Sequence, residues 1–329
     1  MTQIDIAKLS AIPFFDPAAL PGHFICSTMF YDGEWHAWIN AGDQLFKTRM
    51  WPAETCYFGT SAERPTDLSL HFIDLMAQKL SVFPITRQLF GLQADVYNLA
   101  ASLAKIQLFH RTRKEIGQGV PRMVATEVEY LYNVCRSIFD LWQEVLFTFW
   151  DGVQLNDTSI KKRKLKKSYA DMLFSSNNAR TKQELVGRFG IPSALAECYV
   201  ESTEFFTDLR AFRDRVVHGG GQPPTIFEDD SGFLIAAARV PFRDLNIWGD
   251  EETHPNDLVP LLPALSYAIY RTIATCENFS RTIEANFTLL PPIVPKFRLL
   301  MRGYFDEVLA RAFADTEARL VRAVASNAA

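Results

Sequence analysis

The sequence predicts a mainly α-helical protein, a bundle of long amphipathic helices with small β-hairpin additions. Two observations favour the bundle: apolar residues recur at steps of three and four over a long run ending at Phe149, and a second long run ends at three consecutive glycines, Gly219 to Gly221. A third observation limits the β content, because alternating aromatic and β-branched residues around turn dipeptides occur in only two short stretches.

Composition and charge narrow the class of protein. The 329 residues are 48% hydrophobic and 22% charged, as in an ordinary globular protein, and the net charge of -4 excludes a uniformly basic nucleic-acid binder. Five scattered cysteines without a CxxC pair argue against a disulfide framework and a zinc site. We therefore expect a reducing, cytoplasmic location, with no metal and no cofactor.

No targeting or membrane segment is apparent in the sequence. The first fifteen residues lack the basic and apolar regions of a signal peptide. The most apolar stretch, Leu258 to Tyr270, is about 13 residues long and contains two prolines, whereas a membrane span needs ~20 residues. We expect no association with a membrane.

The N-terminal region, residues 1–80, is expected to contain a β-hairpin. Two aromatic runs between His23 and Asn40 flank Asp32-Gly33, a dipeptide that tolerates the backbone of a tight turn. The following stretch, through Trp51-Pro52 to Pro65, predicts irregular structure.

Residues 81–290 are expected to form the helical bundle, and residues 291–329 a C-terminal helix. The first bundle helix is predicted from Pro84 to Gly117, and the next opens at Pro121. That second helix carries the clearest apolar seam of the chain: Val124, Val128, Leu131, Cys135, Ile138, Trp142, Val145 and Phe149.

Further helices are predicted by pattern and by their boundary residues. A short helix is expected from Thr181 to Phe189, and a long one from Ala194 to Val217 with Ser193 as its N-cap. The turn Asp230-Ser231-Gly232 predicts a hairpin inserted at residues 225–241. The last two predicted helices are Pro255 to Phe287 and Arg298 to Ala325.

A basic cluster follows the seam helix, with six cations in the seven residues Lys161 to Lys167. One interpretation is a solvated charged face at the start of a helix, and the other is a surface that contacts phosphates. The cluster has no interleaved aromatic residue, so it does not predict a base-stacking surface.

The strongest candidate for chemistry is the end of the helix that stops at the glycines. Arg213 and His218 are five positions apart, about 140° around a helix, so they do not share a face. Asp214 and His218 are one turn apart, where the carboxylate can accept a proton from the imidazole and orient it. Arg210, one turn before Asp214, can support that carboxylate.

These residues resemble the motif of HEPN domains, helical bundles found in many RNA-cleaving toxins and RNA-processing enzymes. That motif is an arginine, four to six residues and a histidine, commonly with Asn, Asp or His after the arginine. Arg213, Asp214 and His218 match it, and a long helix preceding the motif helix matches the architecture. The resemblance covers residues 81–290, and neither the N-terminal region nor the 225–241 hairpin has a counterpart in it.

The resemblance implies metal-independent attack of a ribose 2′-OH on the adjacent phosphate. In that chemistry His218 is the general base or acid, Arg213 stabilises charge on the phosphate oxygens, and Asp214 orients His218. It also implies a homodimer, because two copies across a two-fold axis can place both pairs in one cleft. The expected phosphate contacts are Lys161, Lys162, Arg163, Lys164, Arg210 and Arg215.

The predicted function is therefore an RNA-acting protein, an endoribonuclease or RNA-sensing module in a toxin or defence role, for which a protein inhibitor is a natural partner. One alternative is a non-enzymatic helical protein that uses the bundle for dimerisation or partner binding, with Arg213 and His218 merely favourable at a helix C-terminus. Another is a protein with a small-molecule site in an apolar cavity. No HExxH, GxSxG, Walker A or GxGxxG motif supports other enzyme classes.

Overall fold

The computed structural model describes residues 24–25, 28–31, 34–41, 44–49, 54–176, 178–218, 225–238, 242 and 245–327. At residues 24–25, 28–31, 38–41, 44–48, 213–218, 324 and 326–327 it describes the backbone alone. The helices are α1 (His71–Lys79), α2 (Thr86–Arg111), α3 (Arg113–Ile116), α4 (Val120–Trp150), α5 (Tyr169–Leu173), α6 (Lys182–Phe189), α7 (Ser193–His218), α8 (Leu261–Asn286) and α9 (Asp306–Asn327). The expectation of a mainly helical protein is confirmed for these residues.

Short strands form four antiparallel sheets among the described residues. The strands are β1 (Phe24–Ile25), β2 (Thr28–Tyr31), β3 (Glu34–Ala41), β4 (Gln44–Arg49), β5 (Thr55–Gly59), β6 (Gln154–Leu155), β7 (Phe174–Ser175), β8 (Asn178–Ala179), β9 (Phe227–Glu228), β10 (Phe233–Ala236), β11 (Leu258–Pro260), β12 (Phe287–Thr288) and β13 (Arg298–Arg302). The largest sheet has the order β13-β5-β1-β2-β3-β4, and a second has the order β11-β10-β9.

Helices α2, α4, α7 and α8 form the core of the bundle, and their side-chain contacts fix their directions. Gln88 contacts Glu144, whereas Ser102 contacts Glu127, so α2 and α4 are antiparallel. The eight apolar seam residues predicted on α4 are all fully buried. This prediction is confirmed, because a stripe at helical spacing gains free energy only when neighbouring helices cover it.

Helix α7 also runs antiparallel to α4. Near its start, Tyr199 donates a hydrogen bond of 2.6 Å to Gln143. Near its end, the ring of Phe212 lies 4.7 Å from that of Tyr132. The C-terminal end of α7 therefore lies at the end of the bundle where α2 ends and where α4 begins.

Two predicted hairpins are present, and the first belongs to a larger sheet than expected. Strands β2 and β3 pair across Asp32-Gly33, and β9 and β10 pair across the turn at Asp230 to Gly232. Residues 55–59, expected to be irregular, form β5, which pairs with β13. Pairing with a distant strand satisfies backbone groups in a way that local pattern does not reveal.

Three predicted helix boundaries are wrong. Residues 298–302 form strand β13 rather than the start of the last helix, which begins at Asp306. Residues 258–260 form β11, paired with β10, so α8 begins at Leu261 rather than at Pro255. Ser193 is the first helical residue of α7 rather than its N-cap. None of the described helices has the length and apolar character needed to cross a membrane.

A buried charged cluster joins the β5–β13 sheet to the loop before α1. Arg302 is 2% exposed and donates hydrogen bonds of 3.0 and 2.7 Å to the two carboxylate oxygens of Asp67. It also donates to Glu63 at 2.6 Å, and Tyr57 donates to Asp67. Burial alone would raise the pKa of Asp67, but the hydrogen bonds from Arg302 and Tyr57 hold that pKa below its usual value.

Asp306 lies beside this cluster, but its carboxylate has fewer hydrogen-bond donors than that of Asp67. One of its oxygens accepts the backbone N–H of Gly303, and the other is buried without a hydrogen-bond partner among the described residues. Burial raises the pKa of Asp306 to about 6. Asp67 and Glu54 add to this rise, while Arg302 and the Gly303 N–H oppose it.

This raised pKa predicts a pH-dependent loss of stability that Asp306→Asn removes. The folded chain binds the Asp306 proton more tightly than the unfolded chain, so the stabilisation by this group is complete below about pH 4 and is lost as the pH rises to about 6. Urea unfolding should show that the free energy of unfolding of Asp306→Asn, relative to that of the wild type, increases by on the order of 2 kcal/mol from pH 4 to pH 7. Glu307→Gln, at an exposed position, is the control, and an equal wild-type-to-variant difference at both pH values would contradict the prediction.

Candidate functional site

The HEPN-like motif occupies the last two turns of α7. The helix is continuous from Ser193 to His218, so Arg213, Asp214, Arg215 and His218 all lie on one regular backbone. The side chains of these residues lie outside the described part of the structure, as does Gly219 to Gly221. Their placement is therefore given by their positions on the helix.

Helix register separates the two principal residues of the motif. Ser202, Phe206 and Leu209 form a buried row on α7, with exposures of 2%, 0% and 1%. Arg213 continues this row by one further turn, whereas His218 lies about 140° around the axis from Arg213. One copy of the helix thus presents the two positions on different sides.

The residues before the motif anchor the end of α7 in the bundle. Phe212 is 4% exposed and packs on Tyr132 of α4, which also contacts Phe242 edge-on at 6.2 Å. Burial raises the pKa of Tyr132 well above its ordinary value, so its hydroxyl stays protonated. This aromatic contact holds the α7 backbone immediately before Arg213.

Arg210 was expected to support Asp214 or contact RNA. Its guanidinium carbon lies 5.8 Å from the centre of the Phe174 ring, which is a cation–π contact. The side chain is half-buried. Arg210 is therefore partly engaged in packing the short strand β7 against α7.

Three exposed cations lie at the same end of the bundle as the motif. Arg111 ends α2, Lys114 lies on α3, and Arg122 lies in the first turn of α4. Within the described part of the chain, none of the three side chains forms a hydrogen bond or an ion pair. Sequence reasoning missed them because they are separated from the motif by about a hundred residues.

The basic cluster at Lys161 to Lys167 is mostly solvated, with Lys161, Arg163, Lys164, Lys166 and Lys167 exposed, and one of its lysines has a structural role that was not predicted. It does not start a helix: residues 161–166 have no regular secondary structure and cross the C-terminal end of α4. Lys162 donates to the backbone oxygens of Trp150 and Val153 and lies 5.2 Å from the Trp150 ring centre. Burial lowers the pKa of Lys162. The positive end of this side chain thus satisfies carbonyl groups that the helix leaves unpaired.

Neighbouring residues of the cluster also stabilise this crossing. Arg163 donates to the backbone oxygen of Gly187 at 3.0 Å, and its own carbonyl accepts from Trp150 Nε1 at 2.8 Å. Leu165 is 2% exposed. Lys161 and Lys164 remain exposed and stay available to a phosphate.

The structure does not bring the basic cluster and the motif together in one copy. The cluster contacts Trp150 of α4, whereas Phe212, just before the motif, contacts Tyr132 of α4. Eighteen residues of α4 separate these contacts, about 27 Å along the helix axis at 1.5 Å per residue. Phosphate contacts by Lys161 or Lys164 would therefore be made far from His218 of the same chain.

Metal chemistry has no evident centre within the described residues. No group of three or more His, Cys, Asp or Glu side chains there is placed to hold a metal ion. His71 contacts Glu284 at 2.9 Å, and His110 contacts the Asp229 carbonyl at 3.0 Å. Both histidines are therefore engaged in contacts between segments of the fold.

Comparisons of the chain with family models, with curated proteins and with solved structures found no match. The resemblance to HEPN domains therefore stays a prediction that depends on the motif residues and their position on α7.

Proposed function

We propose that this chain acts on RNA through the C-terminal end of α7, as a metal-independent endoribonuclease of the HEPN type. The observation that supports the proposal is the setting of the motif. Arg213, Asp214 and His218 lie in the last two turns of a long helix, antiparallel to the buried seam helix α4. In the HEPN domains that the motif resembles, the motif has its catalytic role in a helical context of this kind.

In the proposed reaction, His218 removes the proton of a ribose 2′-OH as the oxygen attacks the adjacent phosphorus. The 5′-oxygen leaves with a proton from a general acid, and a 2′,3′-cyclic phosphate forms. Arg213 donates two hydrogen bonds to the phosphate oxygens on which charge builds. Asp214, one turn from His218, orients the imidazole.

The register of α7 makes a second copy of the chain part of the proposal. Arg213 and His218 diverge by about 140° on one helix, so a single copy does not aim both at one phosphate. A two-fold axis beside the end of α7 supplies Arg213 and His218 from both copies to a shared cleft. We expect a homodimer of about twice 37.4 kDa.

The exposed cations at this end are the proposed RNA contacts nearest to the motif. Arg111, Lys114 and Arg122 can each neutralise a phosphate, and their contribution should weaken as salt increases. Lys161 and Lys164 lie at the other end of α4, where they can contact only a longer RNA.

The central test is cleavage of purified total RNA in EDTA by the wild type and by Arg213→Ala and His218→Ala. Each variant is expected to lose at least about 100-fold in rate, because each removes either proton transfer or charge stabilisation. His71→Gln and Arg311→Ala, which change the same residue types elsewhere, should retain wild-type activity. If the wild-type protein leaves the RNA intact, or if cleavage persists in both motif variants, the ribonuclease proposal is refuted.

The alternative, a non-enzymatic dimerisation or interaction protein, is favoured by a specific feature of the same end. Leu108, Ile116 and Met123 are 46%, 41% and 39% exposed there. Several exposed apolar side chains at one end of a bundle are typical of a surface that another protein covers. A wild-type dimer that leaves RNA intact would support this alternative, and a monomer by light scattering would contradict both the ribonuclease proposal and dimerisation.

A further inference from the structure

A cavity of about 370 Å³ lies where α2 ends, where the β9–β10 hairpin crosses it and where α8 begins. Its walls are mainly apolar and come from all three elements: Ile106, Phe233, Leu234, Pro260, Leu261 and Leu262. The volume lies at the lower end of the range of small-molecule sites, ~300–1,000 Å³. It therefore suits a compact ligand.

The walls of this cavity are held in place by contacts of the protein itself. His110 donates from Nε2 to the Asp229 carbonyl at 3.0 Å, and its ring contacts Phe233 edge-on at 5.4 Å. Arg113 pairs with Asp230 at 2.9 Å. These contacts hold the hairpin to α2 and α3, so the cavity is formed before a ligand arrives, which lowers the cost of binding.

The polar groups of the lining are few, and one of them is a cation. Arg111 is exposed at the cavity and has no hydrogen bond or ion pair with any residue that the structure describes. The acids of the adjacent turn are already engaged: Asp230 with Arg113, and Asp229 with the backbone N–H groups of Ser231 and Gly232. A guanidinium without a partner among the described residues thus lies beside an apolar space.

We propose that this cavity binds a compact hydrophobic carboxylate, with its apolar body against the walls and its carboxylate on Arg111. Burial of the body removes apolar surface from water, and the planar guanidinium can donate two parallel hydrogen bonds to the carboxylate. A neutral ligand of the same shape gains the first of these contributions alone. The site is distinct from the motif at Arg213 to His218, and the proposal does not depend on RNA cleavage.

The test is calorimetric titration of the full chain with octanoate and with 1-octanol, which share a hydrocarbon chain and differ in charge. The wild type is expected to bind octanoate at least about tenfold more tightly than octanol. Arg111→Ala should weaken octanoate binding about tenfold and leave octanol binding unchanged. Arg122→Ala, which removes an exposed cation elsewhere at this end, is the matched control and should bind both ligands as the wild type does.

Two substitutions test the location by filling the cavity. Leu262→Trp and Gln107→Trp are each expected to abolish binding of both ligands, and circular dichroism confirms that each variant is folded. His218→Ala should bind octanoate normally, which separates this site from the ribonuclease proposal. The proposal would be overturned if the wild type bound octanoate and octanol equally well or bound neither. It would also be overturned if Arg111→Ala left octanoate binding unchanged, or if the folded Trp variants still bound the ligands.

Discussion

Replacing Arg302 by leucine is expected to lower the free energy of unfolding by about 3–5 kcal/mol. The guanidinium is 2% exposed and hydrogen-bonds Asp67 and Glu63, so its removal leaves a buried carboxylate without its counter-charge. Urea unfolding followed by circular dichroism measures the loss. The effect is large because the cluster connects β13, near the end of the chain, to the loop that follows β5.

Two comparisons make this expectation specific to buried charge. Arg311→Ala removes a similar guanidinium from an exposed pair with Glu307 and should cost at most about 0.5 kcal/mol. Adding Asp67→Asn to Arg302→Leu should recover part of the loss, because the uncompensated charge is then neutralised. A loss below 1 kcal/mol for Arg302→Leu alone would show that water reaches the cluster.

Gly190→Ala is expected to lower the free energy of unfolding by about 2–5 kcal/mol. Gly190 follows α6 with φ of 60°, a left-handed conformation that costs free energy for alanine. A Cβ there would lie 2.0 Å from the backbone oxygen of Lys161. Backbone atoms cannot rotate away as a flexible side chain can, so the basic segment must shift.

Gly187→Ala, within α6 itself, is the matched control. A Cβ at Gly187 meets nothing within 4 Å, and alanine is favoured over glycine inside a helix by about 0.5–1 kcal/mol. The two substitutions should therefore change stability in opposite directions when compared by urea unfolding. If the two substitutions change the free energy of unfolding in the same direction, the close approach of Lys161 to Gly190 does not constrain the folded state.

The seam helix shows why part of the fold was predictable. The helical period repeats over α4 without interruption, and each predicted seam residue proved to be buried. The capping box at Thr181 and Glu184 likewise follows from residue types three positions apart. Such signals require only neighbours along the chain.

Strand β13 shows why another part was not predictable. Leu299, Leu300 and Met301 fit a helix as well as a strand, and the prediction chose a helix. Their partners, from Cys56 to Phe58, lie more than 200 residues earlier. Local pattern contains no information about such a partner.

The basic segment was only partly predictable, for a related reason. Its charge density predicted a solvated face, and five of its six cations are exposed. Lys162 instead satisfies carbonyl groups at the end of α4, and Leu165 is buried. Charged side chains are retained in such positions when they replace the hydrogen bonds that water would make. The identity of those acceptors depends on how the chain turns back after Trp150.

Short-range periodicity was sufficient to predict that long helices and two hairpins are present, although not where α8 and α9 begin, and to predict the divergence of Arg213 and His218 around α7. Packing between distant segments specified the rest: the pairing of β5 with β13, the separation of Lys161 to Lys164 from the motif, and the cavity beside Arg111. The physical reason is the range of the interactions. Helix and turn preferences act over a few residues, whereas strand pairing and cavity walls require segments that meet only when the whole core is buried.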